Sequence, residues 1–270
     1  MERTRWSWPF LLPTLVFLFA FTYLPFLLTV PSGLSALSSL ASRENLNSLK
    51  LTGLYVLLTV PLSLLLGLGA ALAVNGSSRL RLLARTAIFY PVILPTVAFT
   101  AVFLYLLNPL GPLQGFLHRM GWPNPLGDPV GAFAAVVAIA IMKDAGLYML
   151  YYLAGLQALP KELLEAARVD GAGPVTTFLK VTLPLLSPTT FFVGVMATLG
   201  ALRNVDHIYI LTKGGPVGAT DHLLYRIYVL GFEYFDYPQA SLLTLVLLSA
   251  LTLLALTALP RLEKGVHYDG

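Results

Sequence analysis

The chain has 270 residues, of which 57% are hydrophobic and only 11% charged, with 17 Lys and Arg against 13 Asp and Glu and a formal charge of +4. Soluble domains carry about 25% charged residues, so a soluble globule of this length lacks the charge to cover its surface, and a disordered tail or a disulfide-stapled secreted module is excluded as well. The composition points to a protein whose solvent is largely lipid; the absence of Cys removes thiolate metal sites, iron–sulfur clusters and thiol catalysis, and the basic residues are too few and too dispersed for nucleic acid.

Six apolar stretches follow one another, each near the ~20 residues a helix needs to cross a hydrocarbon core: Phe10–Val30, Leu51–Val74, Ile88–Leu107, Val130–Leu153, Ser187–Leu202 and Ala240–Leu259. Their sustained length excludes barrel strands, which alternate over about ten residues. The expected fold class is therefore all-α, a polytopic membrane protein with six transmembrane helices forming one domain. The first stretch has a basic start at Arg3 and Arg5 but is too long for a signal-peptide apolar region, and is read as a retained first helix. In the second, Ser63, Gly67 and Ala71 recur every four residues, as do Gly69 and Ala73; such small-residue stripes let helix backbones approach closely.

Lys and Arg counts give an orientation. With the N-terminus inside, the inner segments hold Arg3, Arg5, Arg79, Arg81, Arg85, Lys161, Arg168, Lys180, Arg261 and Lys264, and the outer ones Arg43, Lys50, Arg119, Arg203, Lys213 and Arg226. The excess has the sign of the positive-inside rule, so both termini and the long connection after the fourth stretch are expected to be cytoplasmic.

That connection, 159–184, carries the most informative pattern. Pro160 suits the first turn of a helix, Glu162 complements its N-terminal dipole, and Gly171 suits the left-handed position just past its end. The spacing predicts a helix of about ten residues outside the membrane, with Ala166 and Ala167 forming a flat patch that another surface can approach. A short amphipathic stretch, Val175–Thr182, leads to Leu183-Pro184 and back into the membrane, and a second, Leu223–Phe235, precedes the sixth span.

With Glu165-Ala166-Ala167, Gly171 and Leu183-Pro184 in place, the chain resembles the permease subunits of binding-protein-dependent ABC importers, in which this is the EAA loop. It is similar to the sugar branch, the maltose and glycerol-3-phosphate uptake permeases. Ala154-Gly155-Leu156-Gln157, Leu211-Thr212-Lys213-Gly214-Gly215-Pro216, Arg85-Thr86 leading to Tyr90-Pro91, and Phe232-Glu233 fit that branch, and the resemblance extends over roughly residues 10–265. Two positions depart from it: Met142 stands where relatives commonly carry Trp, and an aromatic cluster in the third span is reduced to Phe103 and Tyr105.

The resemblance implies a type I ABC importer permease fold and a division of labour. The loop helix docks into a cleft of a separate ATPase dimer, whose closure switches the membrane helices from inward- to outward-facing. An extracytoplasmic solute-binding protein delivers a sugar or polyol, and a second, different permease chain completes the pair. It assigns ATPase coupling to Glu165, Ala166, Ala167 and Gly171. No cofactor or metal is expected in this chain: no G-x-x-x-x-G-K-[ST] run is present, and His118, His207, His222 and His267 lack H-x-x-x-H spacing.

Polar groups inside membrane spans are costly and mark solute paths or structural partners. Lys143 and Asp144, mid-way along the fourth span, with Tyr148, Asn204 and Asp206, are the candidates for the substrate path. As sequence neighbours Lys143 and Asp144 point about 100° apart and do not pair with each other, so the alternative is a structural pairing of either with a partner elsewhere, such as Asp206 or Asn204, or a position nearer the interface. Tyr148, Tyr151 and Tyr152 are read as packing or interfacial residues before sugar contacts. The rival function is an ion-coupled secondary transporter of a small polar solute, for which Lys143 and Asp144 are the only hint and which leaves the docking loop unexplained. A membrane-embedded enzyme would lack an identifiable nucleophile or metal set.

Overall fold

The computed structural model describes residues 8–265; Arg3, Arg5 and His267 lie outside them, as do the side chains of Arg261 and Lys264. The described residues form helices and connecting turns, with no strand among them. In chain order these are α1 (Trp8–Leu18), α2 (Leu24–Ser35), α3 (Arg43–Val74), α4 (Arg79–Ile93), α5 (Thr96–Leu107), α6 (Pro112–Arg119), α7 (Pro129–Gln157), α8 (Lys161–Val169), α9 (Pro174–Thr177), α10 (Leu183–Leu185), α11 (Ser187–Arg203), α12 (Asp206–Leu211), α13 (Leu223–Tyr228) and α14 (Tyr237–Gly265). Short π-helical turns join α1 to α2, α9 to α10, and extend α13.

Leu11–Ser35, α3, α7 and Tyr237–Ala258 are each long and apolar enough to span a membrane unbroken. The other two spans are bent pairs. The chain expected to run as one helix over Ile88–Leu107 instead begins at Arg79 and breaks between α4 and α5, whose axes differ by 97°. The cause is local: Pro95 disfavours helical geometry at the residue before it, and Leu94 is extended at φ −68°, ψ 140°. The fifth span is likewise preceded by the 174–185 segment, bent 65° from α11 at Leu186. The outer amphipathic stretch is helical only over Leu223–Tyr228 before a π-helical turn, Val229–Glu233.

The centre of the molecule is α3 packed along α7. The buried face of α3 runs Asn45, Ser48, Thr52, Tyr55, Thr59, Ser63, Gly67, Ala71 and Val74. This is a stripe of small and hydroxyl residues at three- and four-residue spacing, the pattern that lets membrane helices meet at short distance. At Gly67 the approach is so close that an added Cβ would lie 2.8 Å from Cβ of Tyr148. The second stripe behaves differently: Gly69 has nothing near it and, like Ala73, faces outward. On its other side α7 meets α4 at Gly146, where a Cβ would strike the backbone of Ile88 and Phe89. Among the described residues the first span packs mainly on α14, through Gly33 against Leu242 and Leu245, and presents its described leucines and phenylalanines outward.

With 32 residues at 1.5 Å each, α3 is about 48 Å long, well beyond an apolar layer of about 30 Å. Its two ends therefore mark the two ends of the molecule. The C-terminal end lies beside α8: Leu72 and Asn75 share a groove with Leu164 and Arg168. The N-terminal end lies beside the loop before α13, where Thr52 Oγ1 accepts a hydrogen bond from the Leu223 amide at 2.7 Å.

Candidate functional site

At the α8 end, Pro160 supplies the N-cap backbone and Glu162 sits in the first turn. The helix stops as the glycine pattern requires. Gly171 has φ +78°, its amide donates to Arg168 O at 3.0 Å, and the Ala172 amide donates to Ala167 O at 3.0 Å. This pair of bonds closes a Schellman motif and satisfies carbonyls that would otherwise end the helix unpaired. A Cβ at Gly171 would meet nothing, so the glycine is required by its backbone angle alone.

Leu164, Arg168 and Ala172 turn into a groove of about 390 Å³ shared with Leu72, Leu156, Leu159 and Phe178. Glu162, Glu165, Ala166 and Val169 lie exposed at i, i+3, i+4, i+7 spacing, and Lys161, Leu163 and Arg168 are exposed as well, with Val169 87% exposed. Of the four residues assigned to coupling, Glu165, Ala166 and Gly171 are exposed, while Ala167 is half-buried. Val169 escaped the sequence reading; a β-branched apolar residue four positions after Glu165, on the polar side of the helix, was the signal.

Two arginines brace the same end. The Arg85 guanidinium donates to Val74 O through Nε at 3.1 Å and Nη2 at 2.9 Å, and to Gly76 O at 2.7 Å. Arg81 donates to Asn75 O at 3.0 Å. Both thereby cap the C-terminus of α3, where cations complement the helix dipole.

Mid-way along the spans the candidate path residues separate. Lys143 and Asp144 point apart, as neighbours on a helix must. The Lys143 ammonium donates to Val92 O at 3.1 Å. That carbonyl lies in the last turn of α4, where the Leu94–Pro95 break ends the helical ladder. Asp144, Tyr148 and Asn204 instead meet around a cavity of about 10 Å³, with Tyr55, Thr59 and Ser63 of α3 and Ala197 and Ala201 of α11. Asp206 is exposed in the first turn of α12 and is not part of that lining. The three α3 residues recur at i, i+4 and i+8, a hydroxyl stripe that was legible but not used. Tyr148 is wedged in place, its Cβ against Gly67 and its hydroxyl about 3.4 Å from where a Cβ on Gly200 would sit. Tyr152 is buried in packing, and Tyr151 sets its ring edge-on to Phe192 at 5.4 Å.

Above this cavity Tyr55 joins two histidines that the sequence left scattered. Its hydroxyl is 3.0 Å from His207 Nε2, and its ring lies 4.6 Å from that of His222. Burial pushes the His207 imidazole down to about 4; burial, and secondarily His207, push His222 down to about 3. Both rings are thus neutral at physiological pH.

A volume of about 10 Å³ holds a single water at most, whereas small-molecule sites run to hundreds of Å³. The cavity is closed to any solute in this conformation, and opening it requires α3, α7 and α11 to separate.

Residues 63–267 match the family model described as "Binding-protein-dependent transport system inner membrane component". The chain is 36% identical over 241 residues to the sn-glycerol-3-phosphate transport system permease protein UgpA of Agrobacterium fabrum, covering 87% of this chain and 82% of that one. It is 36% identical over 226 residues to the trehalose/maltose transport system permease protein MalF of Thermococcus litoralis, covering 80% and 75%. Its fold is that of a chain in the crystal structure of a bacterial alginate ABC transporter in complex with an alginate pentasaccharide-bound periplasmic protein, with a TM-score of 0.79 over 93% of this chain at 23% identity. A bundle of unbroken and bent spans carrying one capped helix at its end, together with these matches, places the chain in the family of inner-membrane permease subunits of binding-protein-dependent sugar ABC importers.

Proposed function

We propose that this chain forms the solute path of an ATP-driven importer for a sugar or related polyol, and that α8 couples it to a separate ATPase. The observation that carries this reading is the exposed stripe of Glu162, Glu165, Ala166 and Val169 on a short helix locked by a Schellman motif. Such a surface offers an acidic contact, a place for close approach and an exposed apolar side chain, on a body stiff enough to pass on a push. The helix lies in the connection between α7 and α11, so motion of α8 pulls on two walls of the intramembrane cavity.

The orientation follows from charge. The basic residues Arg79, Arg81, Lys161, Arg168 and Lys180 lie towards the α8 end, which by the positive-inside rule supports a cytoplasmic position for that end, with both termini on the same side in this reading. Each chain presents one α8, and an ATPase dimer has two clefts to fill, so a second permease chain of different sequence completes the pair. An external binding protein delivers the solute to the opposite end. Relatives named for glycerol-3-phosphate and for trehalose and maltose transport favour a polyhydroxylated solute. The hydroxyls of Tyr55, Thr59 and Ser63, with Asp144, Tyr148 and Asn204, supply the hydrogen bonds such a solute needs once the cavity widens. In this reading ATP is hydrolysed on the partner, and this chain performs no chemistry.

The test is reconstitution. The tagged chain is purified from membranes with its co-eluting subunits and placed in liposomes with the cognate binding protein. Uptake that requires internal ATP and persists without an ion gradient is the expected result. Uptake that survives ATP depletion and collapses with the ion gradient would overturn the reading in favour of an ion-coupled secondary transporter.

A further inference from the structure

The end of the molecule opposite α8 holds a pocket that the solute path does not use. It has a volume of about 450 Å³ and is built by the segment from α12 through the turn after α13. Tyr209, Tyr225 and Tyr234 are among the residues that line it. Asp221 and Arg226 face each other across 3.6 Å on one side, and Lys213 and Glu233 add one charge of each sign. The remaining wall is largely bare backbone at Gly214, Gly215 and Gly218.

This wall is held in shape. Gly214, at φ +77°, lies so close to Tyr225 that a Cβ would come within 2.6 Å of the ring. Thr212 and Thr220 join their hydroxyls at 2.7 Å, Thr220 Oγ1 donates to Gly215 O at 2.9 Å, and its amide donates to Gly214 O at 3.1 Å. Asn47 of α3 donates to Gly218 O at 3.3 Å, tying the loop to the bundle. Lys213 and Val217 are both held at positive φ, 48° and 52°. That is an uncommon conformation for Val in particular.

We propose that this pocket is a second, outer binding site for a neutral saccharide, which holds solute at the external mouth before the intramembrane cavity opens. Sugars offer apolar C–H faces that stack on aromatic rings and hydroxyls that pair with carboxylates, guanidinium groups and backbone amides. The pocket carries all of these, and its volume falls in the range of small-molecule sites. Its two cations and two carboxylates balance, so it selects hydroxyls over a net charge. Preorganisation of the loop lowers the entropy lost on binding. Burial raises the Asp221 carboxyl to about 6, Arg226 opposes that rise and Glu44 adds to it; above that pH Asp221 is ionised and accepts hydroxyl hydrogen bonds.

The site's placement outside the cell rests on the proposed cytoplasmic position of α8, but its existence does not, and the test keeps the two apart. The chain with its co-eluting subunits is placed in lipid nanodiscs without ATP or binding protein, and titrated with radiolabelled maltose, trehalose and glucose in equilibrium dialysis. Saturable binding of at least one sugar is expected, retained in Asp144→Asn and weakened about tenfold or more when Tyr234→Ala is combined with Glu233→Gln. Both substituted residues are exposed, so the fold is not at stake. Binding of none of the three sugars, or binding lost in Asp144→Asn and untouched in the double variant, would overturn the proposal. Failure of ATP-driven uptake bears on the import assignment alone.

Discussion

Lys143 illustrates how a charge in a membrane span acquires a structural task. Its ammonium bonds to Val92 O in the last turn of α4, beside the break that Pro95 imposes, where a cation also complements the helix dipole. Lys143→Met is expected to lower stability by about 1.5–3 kcal/mol, the range for a hydrogen bond from a charged group, with Lys143→Arg recovering part of it. Chemical denaturation in detergent reads this directly. Wild-type stability with lost uptake would return Lys143 to the solute path. At the same scale the histidines set an acid limit. His207 and His222 have folded values near 4 and 3 against 6.5 for free imidazole. Between those values the unfolded chain binds more protons, so their contribution is present above about pH 6.5 and lost as pH falls through 4 and 3. Asp221, raised from 3.8 to about 6, has the opposite sign, and its contribution is lost as pH rises through 6. Two histidines outweigh one aspartate, so the thermal midpoint should fall between pH 7.5 and 5. It should fall less in a His207→Gln, His222→Gln double variant; a midpoint that rises on acidification would put Asp221 in control.

Among the elements, α3 gives the sharpest contrast, because two glycines two residues apart have opposite surroundings. Gly67→Val places methyl groups where Tyr148 Cβ already stands 2.8 Å from the added Cβ, and overpacking of this kind costs about 1–3 kcal/mol. Gly69→Val enters open space and should leave stability unchanged in the same denaturation assay. The spacing of small residues revealed both stripes, but only packing against α7 decides which of them is a contact. The same limit runs through the other elements. Apolar length revealed the spans, and glycine at 171 revealed the end of α8, since both are local properties. The break in the third span was also local, written in Pro95, but hydropathy averages across it. Lys143 with Val92, and Tyr55 with His207, are separated by 51 and 152 residues, and no local pattern pairs them. For α8 itself, Gly171→Ala forces a Cβ into φ +78° at about 1–2 kcal/mol, more than a short exposed helix can absorb without fraying. ATP hydrolysis by the assembled complex should then persist while uptake falls; uptake that stays coupled would remove α8 from the path of motion.

The molecule as a whole is caught with its polar centre shut. Asp144, Tyr148 and Asn204 converge from α7 and the end of α11 on the hydroxyl stripe of α3 around only about 10 Å³. On the proposed path a solute passes only if α3 and α11 part, and in that reading a push on α8 has a direct route to the cavity wall because the chain runs from α8 through the 174–185 segment into α11. The proposed function therefore predicts that transport depends on separation of α3 from α11. The chain offers a clean way to test it, since it has no Cys of its own. Ser63→Cys on α3 and Ala197→Cys on α11 line the same cavity, and both replacements are small. A short thiol-reactive crosslinker should join them in the resting complex, and the joined complex should lose ATP-driven uptake. Either single variant treated with the same reagent should keep most of it, and a cleavable linker should restore transport when cut. Undiminished uptake in a fully crosslinked complex would show that these two helices move together, and that solute takes a route other than the one their polar faces enclose.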